Sequence, residues 1–333
     1  MTDRASSRTV LVTGATGFVG RALLPALVRD GVLVRATSRR EGPPGDASVS
    51  WVKCDVADRD DLARALDGVH VAYFLVHGMG GGHADYATHE AESARLFAEV
   101  AAERGVERIV YLGGVAPERE PSVHLKSRLT VGEVLREGRV PTLELRASMI
   151  VGAGSASWKL VRDLAFRLPA MVLPKWTRSS TCPVAIDDVV GALVAAKHVP
   201  LERSAWFDLP GPEVLTGAEV LFRLAALQGR AVPAIPVPLL SPSLSSWWLR
   251  LVTGADFSLA RELVLGFTSD LLPRDDRYWQ LIGAPPRLSF DEAALRALTQ
   301  ERAAASVRGV LGETAEFVVR VVGQGLAYRR QRR

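Results

Sequence analysis

Short apolar runs alternate with longer amphipathic stretches along the first half of the chain. Apolar runs of strand length predict six strands, at Arg8–Thr13, Val32–Thr37, Val49–Lys53, Val69–Val76, Arg108–Gly113 and Thr142–Ile150. Between most of them, apolar residues at helical spacing predict helices, at Phe18–Asp30, Ala57–Leu66, Ala84–Glu103 and Ser122–Glu137. Because strands and helices alternate over about 150 residues, the pattern predicts an α/β fold with a doubly wound parallel sheet.

The alternation of predicted strands and helices becomes less regular after Ile150. A helix is predicted at Ser155–Leu168, and a strand at Thr181–Ile186 that leads into a further helix. We therefore predict that residues 1–153 form the core with the main parallel sheet. Residues 154–333 form a mixed segment that completes this core at about 181–209 and otherwise builds a smaller, α-rich C-terminal substrate lobe and a last helix.

Three glycines follow the first predicted strand at the point where the first helix begins. Gly14, Gly17 and Gly20 have the spacing G-x-x-G-x-x-G, which differs from the G-x-G-x-x-G fingerprint of dinucleotide-binding proteins. The strand, the glycine turn and the helix nevertheless stand in the order that a diphosphate site requires. The backbone N–H groups and the positive end of the helix dipole would face the phosphates. The sequence thus predicts a Rossmann-like fold that holds a dinucleotide.

Composition and charge narrow the possible partners. Of 333 residues, 48% are hydrophobic, and 41 basic residues stand against 37 acidic ones without a long basic stripe, so we expect no nucleic-acid partner. Cys54 and Cys182 have no metal-ligand spacing. The polar N-terminus lacks a secretory apolar region, and no apolar run reaches the ~18 residues of a membrane span. The expected location is the cytoplasm.

Several motifs together resemble the short-chain dehydrogenase/reductase superfamily. They are Thr13–Gly20, Cys54–Val56, Phe74–His77, Tyr111–Gly114 and Pro183–Val189. The string His124-Leu125-Lys126-Ser127-Arg128 and the stretch 235–252, with Trp247-Trp248, resemble its atypical NAD(P)-binding branch, near a group related to an accessory subunit of complex I. The resemblance covers about residues 8–300.

The resemblance implies a role for each matching position. The diphosphate would lie against Gly14, Thr16, Gly17, Phe18 and Val19, and the adenosine ribose near Ser38 and Arg39. Asp55 and Val56 would bracket the adenine. The remaining residues expected along the cofactor follow the fourth strand or end the fifth, namely Leu75, Val76, His77 and Gly113.

The residues after the second strand favour NADP(H) over NAD(H), although NAD(H) stays possible. A carboxylate there would accept hydrogen bonds from a free ribose 2′-hydroxyl, whereas arginine suits a 2′-phosphate. The sequence has Ser38, Arg39 and Arg40, with no carboxylate before Glu41. A guanidinium can bind phosphate through two parallel hydrogen bonds. We expect Arg39 to make this contact and Arg40 to extend into solvent.

The catalytic pair of the superfamily is missing. Its members use a tyrosine and, four residues later, a lysine, which share one face of the helix after the fifth strand. No Tyr-x-x-x-Lys occurs in this chain, and His124 and Arg128 stand at the matching positions. In one interpretation His124 is the proton donor, with an ordinary pKa of ~6.5, and Arg128 anchors a ribose or substrate oxygen. In the other, the pair packs beside the nucleotide without catalysing a reaction.

Two functions therefore remain open at this stage. The first is an NADPH-dependent oxidoreductase that reduces an apolar or aromatic small molecule by hydride transfer. The second is a non-catalytic NADP(H)-binding module with a structural, redox-sensing or regulatory role. Epimerase or dehydratase chemistry on a sugar nucleotide is disfavoured because it needs the same missing pair.

Other candidates have simpler explanations. His77, His83 and His89 lie near Asp85 and Glu90, but their spacing straddles a glycine-rich loop, and we expect no metal site. Trp247-Trp248 could pack in a core or line an apolar pocket. The helical pattern at Val310–Tyr328 ends in a basic tail. We expect it to dock on its own domain rather than on an anionic membrane.

Overall fold

A computed structural model describes residues 8–40, 42, 48–77, 86–117, 121–167, 171–230, 233–236 and 269–305 of the chain. The predicted helix at Val310–Tyr328, the Trp247-Trp248 pair and His83 lie outside the described residues.

The centre of the fold is a seven-stranded sheet with strand order β11-β6-β5-β4-β1-β2-β3. Every neighbouring pair in it is parallel. The strands are β1 (Thr9–Val12), β2 (Leu33–Ser38), β3 (Val49–Lys53), β4 (Val71–Phe74), β5 (Arg108–Gly114), β6 (Thr142–Ala147) and β11 (Ala205–Asp208). All four residues of β4 are buried, as its continuous apolar run requires for a central strand covered on both faces. The predicted α/β fold with a doubly wound parallel sheet is confirmed.

Helices cover both faces of the sheet. The first five are α1 (Phe18–Arg29), α2 (Arg59–Ala65), α3 (Tyr86–Glu103), α4 (Val123–Glu137) and α5 (Ala156–Arg167). They are followed by α6 (Ile186–Ala195), α7 (Gly217–Ala226), α8 (Arg277–Leu281) and α9, which covers residues 290–305. One core cluster joins α1 and α6 to the sheet, and another joins α2, α3 and α4 to it. In doubly wound sheets with helices on both faces, ligands bind in a crevice at the carboxyl ends of the strands, and the site is expected there.

A second core lies beside the sheet. Trp158 and Leu164 of α5, Val220 and Leu224 of α7, and Phe290 at the start of α9 pack together in it. Each of these five side chains is less than 3% exposed, so the second half of the chain has a well-buried centre of its own. The same part of the chain also contains three two-stranded sheets. They pair β10 (Val184–Ala185) with β7 (Ile150–Val151), β12 (Leu215–Thr216) with β9 (Ser180–Thr181), and β13 (Ala234–Pro236) with β8 (Met171–Leu173).

Two predicted boundaries in this part are wrong. The sixth strand ends at Ala147 rather than Ile150, because Ile150 starts the separate strand β7 and pairs with Val184. The apolar pattern continues across both strands, so it does not show that the chain changes its hydrogen-bonding partner. The predicted strand Thr181–Ile186 likewise divides into parts of β9 and β10, and α6 begins at Ile186.

Candidate functional site

The glycine turn after β1 closes against the end of β4. Gly14 has φ +65°, and a Cβ atom placed there would lie 2.4 Å from the Leu75 carbonyl oxygen, so both conformation and space require glycine. The Thr13 hydroxyl donates to the Tyr73 carbonyl at 3.0 Å and accepts from the Leu75 amide at 3.2 Å. These contacts hold the turn beside Leu75, one of the predicted cofactor residues.

The start of α1 is arranged to receive an anion. Its N-cap is Gly17, which offers no side chain to the first N–H groups of the helix. At Gly20 a Cβ atom would lie 2.4 Å from the Gly14 carbonyl oxygen, so the missing side chain brings the helix close to the turn. The unsatisfied N–H groups and the positive helix end therefore suit a diphosphate.

An arginine-rich cavity of about 1310 Å³ continues from this turn along α1 and the ends of β2 and β3. Thr16, Ser38, Arg39 and Arg40 line it, together with Arg21, Leu24, Pro25, Val28, Arg29, Val49 and Trp51. Although Arg40 is exposed, it contributes to the wall rather than only extending into solvent, which differs from the sequence expectation. Sequence reasoning missed Arg21 and Arg29, which become neighbours of Arg39 only when α1 packs on β2.

Asp55 and Val56, which were predicted to bracket the adenine, lie in the turn between β3 and α2. Asp55 and Val56 are not among the residues that line the arginine-rich cavity. The Asp55 carboxylate accepts from the Ala57 amide at 3.0 Å, and the Asp55 amide donates to Asp61 at 2.9 Å. Asp55 thus stabilises the turn that leads into α2.

Histidine and arginine side chains gather at the other end of the crevice. The Nε2 atom of His77 lies 3.2 Å from the Leu112 carbonyl oxygen, so this nitrogen carries the proton and donates it. The His77 ring packs edge-on against Tyr111, with centroids 5.9 Å apart. Burial lowers the pKa of His77 well below its ordinary value, and the charges of Arg128 and His124 lower it further.

His124 is a neutral imidazole at neutral pH. Burial and the neighbouring Arg128 guanidinium lower its pKa to about 4, although Glu90 acts in the opposite direction. The ordinary histidine pKa of ~6.5, which the sequence interpretation assumed, therefore does not apply to this side chain. The sequence could not show this, because the lowering depends on how α4 packs over the sheet.

Arg128 has an unsatisfied donor. Its Nε atom is buried and has no hydrogen-bond partner among the described residues. The Arg128 carbonyl oxygen accepts from the Tyr111 hydroxyl at 2.9 Å, and burial raises the pKa of Tyr111. Tyr111 is thus committed as a neutral donor and does not replace the missing catalytic tyrosine. A buried N–H group without a partner is costly, so a ligand oxygen at this point would satisfy it.

Gly113 borders this cluster from the sheet side. A Cβ atom there would lie 2.9 Å from Oε1 of Glu144 and 3.1 Å from the Tyr111 ring. Glu144 is fully buried and accepts from Arg136 at 2.8 Å and from Arg146 at 2.9 Å. The small residue at position 113 is therefore explained by packing against this charged group.

The geometry fits an NAD(P) cofactor at both ends of the crevice, and the comparisons with known proteins agree. Residues 14–151 match a family model described as NAD(P)H-binding. This segment is therefore similar to NAD(P)-binding proteins, and its parallel sheet has the Rossmann-like fold. No helix within the described ranges is both long and apolar enough to span a membrane, and the described side chains form no group of metal ligands.

Two curated relatives extend the likeness beyond the Rossmann domain. A ceramide reductase of Caulobacter vibrioides (strain NA1000 / CB15N) is 29% identical over 206 residues, which cover 58% of this chain and 62% of the relative. A dTDP-6-deoxy-L-talose 4-dehydrogenase (NAD(P)(+)) of Kitasatospora kifunensis is 29% identical over 187 residues, or 48% of this chain and 58% of the relative. The chain thus matches about three fifths of the length of each.

Solved structures share the fold of the Rossmann domain and of much of the second half. A short-chain dehydrogenase/reductase superfamily protein from Agrobacterium tumefaciens with bound NAD has a TM-score of 0.65 and 20% identity, over 90% of this chain and 100% of that one. The UDP-glucose 4-epimerase of Thermotoga maritima with UDP-glucose has a TM-score of 0.67 and 13% identity, over 89% and 99%. At this identity the likeness concerns the fold.

Proposed function

We propose that the protein is an NADPH-dependent oxidoreductase that reduces a carbonyl group of an apolar or aromatic small molecule. The observation that carries this proposal is the cluster of His77, His124 and Arg128, in which Arg128 presents a buried, unpartnered Nε atom. One curated relative is named a ceramide reductase and the other an NAD(P)(+) dehydrogenase, which supports the same reaction class. We place the chain near the atypical, complex I accessory-subunit-like branch of the superfamily.

The cofactor would lie along the crevice with its diphosphate at Gly14, Thr16, Gly17, Phe18 and Val19. Leu75, Val76 and His77 would line its path toward the nicotinamide. When bound, the cofactor supplies a hydride, and the protein supplies position and electrostatics. The proposed role of Arg128 is to hold a ribose or substrate oxygen, because its Nε atom has no hydrogen-bond partner in the part of the chain that the structure describes.

Arg39 would select NADPH over NADH. It shares the cavity wall with Arg21, Arg29 and Arg40, and none of the described residues that line this cavity carries a carboxylate. A 2′-phosphate would be stabilised there by charge-assisted hydrogen bonds, whereas a 2′-hydroxyl would lack an acidic acceptor.

His124 would exchange the proton with the substrate oxygen. As a neutral imidazole it can donate an N–H hydrogen bond to a carbonyl or accept a proton from an alcohol. With a pKa of about 4, little of it is protonated at pH 7. If proton transfer limits the rate, reduction therefore becomes faster as the pH falls from 7 to 5, by up to about tenfold per pH unit.

The test is NADPH oxidation by the purified protein against a panel of apolar ketones, aldehydes and quinones. We expect turnover by the wild type, and a loss of roughly 100-fold or more in His124→Ala with little change in NADPH affinity. The control is Lys126→Ala, an exposed residue on the same helix. Equal turnover in His124→Ala and the wild type would contradict the catalytic role of His124.

A non-catalytic NADP(H)-binding module is the second candidate. The observation that favours it is the low pKa of His124 together with the absence of the tyrosine–lysine pair, since both weaken proton donation at pH 7. Tight NADPH binding without turnover on the whole panel, in both reaction directions, would support the module.

A further inference from the structure

A carboxylate from α3 reaches the segment of α4 that carries His124 and Arg128. The hydroxyl of Ser127, which is 1% exposed, donates a short hydrogen bond to Oε2 of Glu90. Ser127 lies three residues after His124 and immediately before Arg128, so it shares a helix face with the imidazole. This hydrogen bond therefore fixes a negative charge beside the proposed catalytic pair.

The groups around His124 carry opposing charges. Arg128 acts from the same helix, and Glu90 acts from α3. His77 lies on the segment after β4, where the charge of His124 lowers the pKa of His77, and Tyr111 of β5 is uncharged and donates to the Arg128 carbonyl. Of these groups Glu90 favours the imidazolium form, and Arg128 and burial disfavour it.

We propose that Glu90, held by Ser127, is a positioning residue of this site that balances the positive charge of His124 whenever the imidazole has taken up a proton. This inference rests on the proposed function, in which His124 exchanges a proton with the substrate oxygen. In alcohol oxidation the substrate O–H bond breaks and its proton moves to His124, while the C–H bond of the carbon that bears this oxygen breaks and the C=O bond forms. A bound oxidised cofactor would accept the hydride from that carbon. In carbonyl reduction the imidazolium returns that proton to the oxygen.

The arrangement explains how a buried histidine next to an arginine can still take up a proton. Without a nearby carboxylate, the imidazolium would meet only burial and a like charge, and both oppose it. A glutamate held by the Ser127 hydroxyl, on the same helix face as His124, supplies the opposite charge. Sequence reasoning missed Glu90, because its partner lies 37 residues away on another helix.

The test is the titration of the imidazoles in full-length protein labelled with ¹³C and ¹⁵N in histidine, followed by NMR. Resonances of His77 and His124 are assigned from His77→Gln and His124→Gln. In Glu90→Gln we expect the fraction of imidazolium at His124 to fall at least threefold at a fixed pH near 4.5. Ser127→Ala, which frees the carboxylate from its anchor, should lower that fraction in the same direction by a smaller factor.

The same comparison is repeated in a variant in which His124 titrates at a higher pH, where acid does not unfold the protein. Arg128→Gln removes the positive neighbour, so His124 titrates at a higher pH there. Adding Glu90→Gln to Arg128→Gln should again lower the imidazolium fraction at least threefold. Circular dichroism at each pH confirms that the compared proteins are folded.

The matched control is Glu92→Gln. Glu92 lies on the same helix, and its carboxylate pairs with the exposed His89 at 3.6 Å. We expect it to leave His124 unchanged. An identical titration of His124 in the wild type and Glu90→Gln, in both backgrounds, would overturn the role of Glu90.

A kinetic arm separates this inference from the proposed function. With an active substrate, Glu90→Gln should move the pH profile of reduction to lower pH, whereas Glu92→Gln should not. The NMR result does not need turnover. A shifted titration in a protein that never turns over would contradict the oxidoreductase proposal and keep the electrostatic role, while turnover with an unshifted titration would do the reverse.

Discussion

At the residue scale, we propose that arginines in the cavity beside β2 set the preference for NADPH over NADH. Arg39 follows β2 directly, and the cavity wall brings Arg21 and Arg29 of α1 to the same space. The sequence alone was enough to single out Arg39, because the end of the second strand can be located from its apolar pattern and Arg39 follows it directly. It could not indicate Arg21 and Arg29, because helix packing brings them there.

Replacing Arg39 by alanine should weaken NADPH binding and leave NADH binding nearly unchanged. A charge-assisted hydrogen bond contributes about 1.5–3 kcal/mol, which corresponds to roughly 10- to 100-fold in the dissociation constant. Calorimetric titration with both cofactors measures this difference. Arg104→Ala is the control, since Arg104 forms a surface pair with Asp67. Equal losses for NADPH and NADH would argue against a 2′-phosphate contact.

His77 should make the ligand-free protein less stable in mild acid. Its pKa is lowered on folding, so between that value and ~6.5 the unfolded chain binds more protons, and the free energy of unfolding falls as the pH falls through this window. His77→Gln keeps a donor for the Leu112 carbonyl but cannot be protonated. From pH 7.5 to 5 it should therefore lose less stability than the wild type, by ~1 kcal/mol.

Urea unfolding at the two pH values checks this difference. His89→Gln is the control, because the His89 side chain is 75% exposed. If the His77→Gln and wild-type proteins lost equal stability between the two pH values, the buried neutral state of His77 would be contradicted.

At the scale of elements, local pattern was sufficient for most of the Rossmann core and insufficient for the second half. The strand Val49–Lys53 was predicted with its observed bounds, and Gly31 ends α1 with φ +79°. Both depend on short-range rules of periodicity and capping. The division near Ala147 depends instead on which strand each segment pairs with, and a one-dimensional pattern does not contain that information.

Gly20→Ala should damage both α1 docking and cofactor binding. The new Cβ atom would lie 2.4 Å from the Gly14 carbonyl and 2.7 Å from the Ala15 Cα, and both are backbone atoms that cannot move cheaply. We expect a loss of about 1–3 kcal/mol in stability and weakened NADPH binding. Gly191→Ala is the matched control, since that glycine is exposed within α6 and has no atom within 4 Å of a new Cβ.

Alanine at position 191 should instead stabilise the protein by roughly 0.5–1 kcal/mol, because it has a higher helix propensity than glycine. Thermal unfolding of both variants measures these two changes in stability relative to the wild type. A Gly20→Ala protein as stable as the wild type, with unchanged NADPH affinity, would contradict the close contact between turn and helix.

Glu144 on β6 is a buried carboxylate that packs beside Gly113, one of the residues expected along the cofactor. Its buried carboxylate neutralises Arg136 and Arg146 and occupies the space beside Gly113 and Gly132. Glu144→Gln leaves the buried Arg146 guanidinium without its counter-charge, so we expect a loss of about 3–5 kcal/mol in the free energy of unfolding. Denaturant titration measures it. The exposed pair partner Glu107→Gln should cost about 1 kcal/mol or less, and an equally small loss at Glu144 would refute the account.

At the scale of the whole molecule, two core clusters cover the faces of the main sheet, and a third forms in the second half of the chain. The cluster of Trp158, Leu224 and Phe290 is built by α5, α7 and α9, and β11 returns from the second half of the chain to the main sheet. We propose that residues 154–333 both complete the core and build the substrate lobe. The sequence suggested this division because the alternation of strands and helices becomes irregular after Ile150. It did not indicate that β11 pairs with β6, because the two strands lie about 60 residues apart in the sequence.

The most direct test of the central claim is a calorimetric titration of the full chain with NADPH, NADP⁺, NADH and NAD⁺. We expect one molecule of NADPH to bind per chain, at least tenfold more tightly than NADH, with Gly20→Ala weakening both. If none of the four dinucleotides gave a binding signal, a cofactor at the start of α1 would be contradicted, together with the function proposed from it.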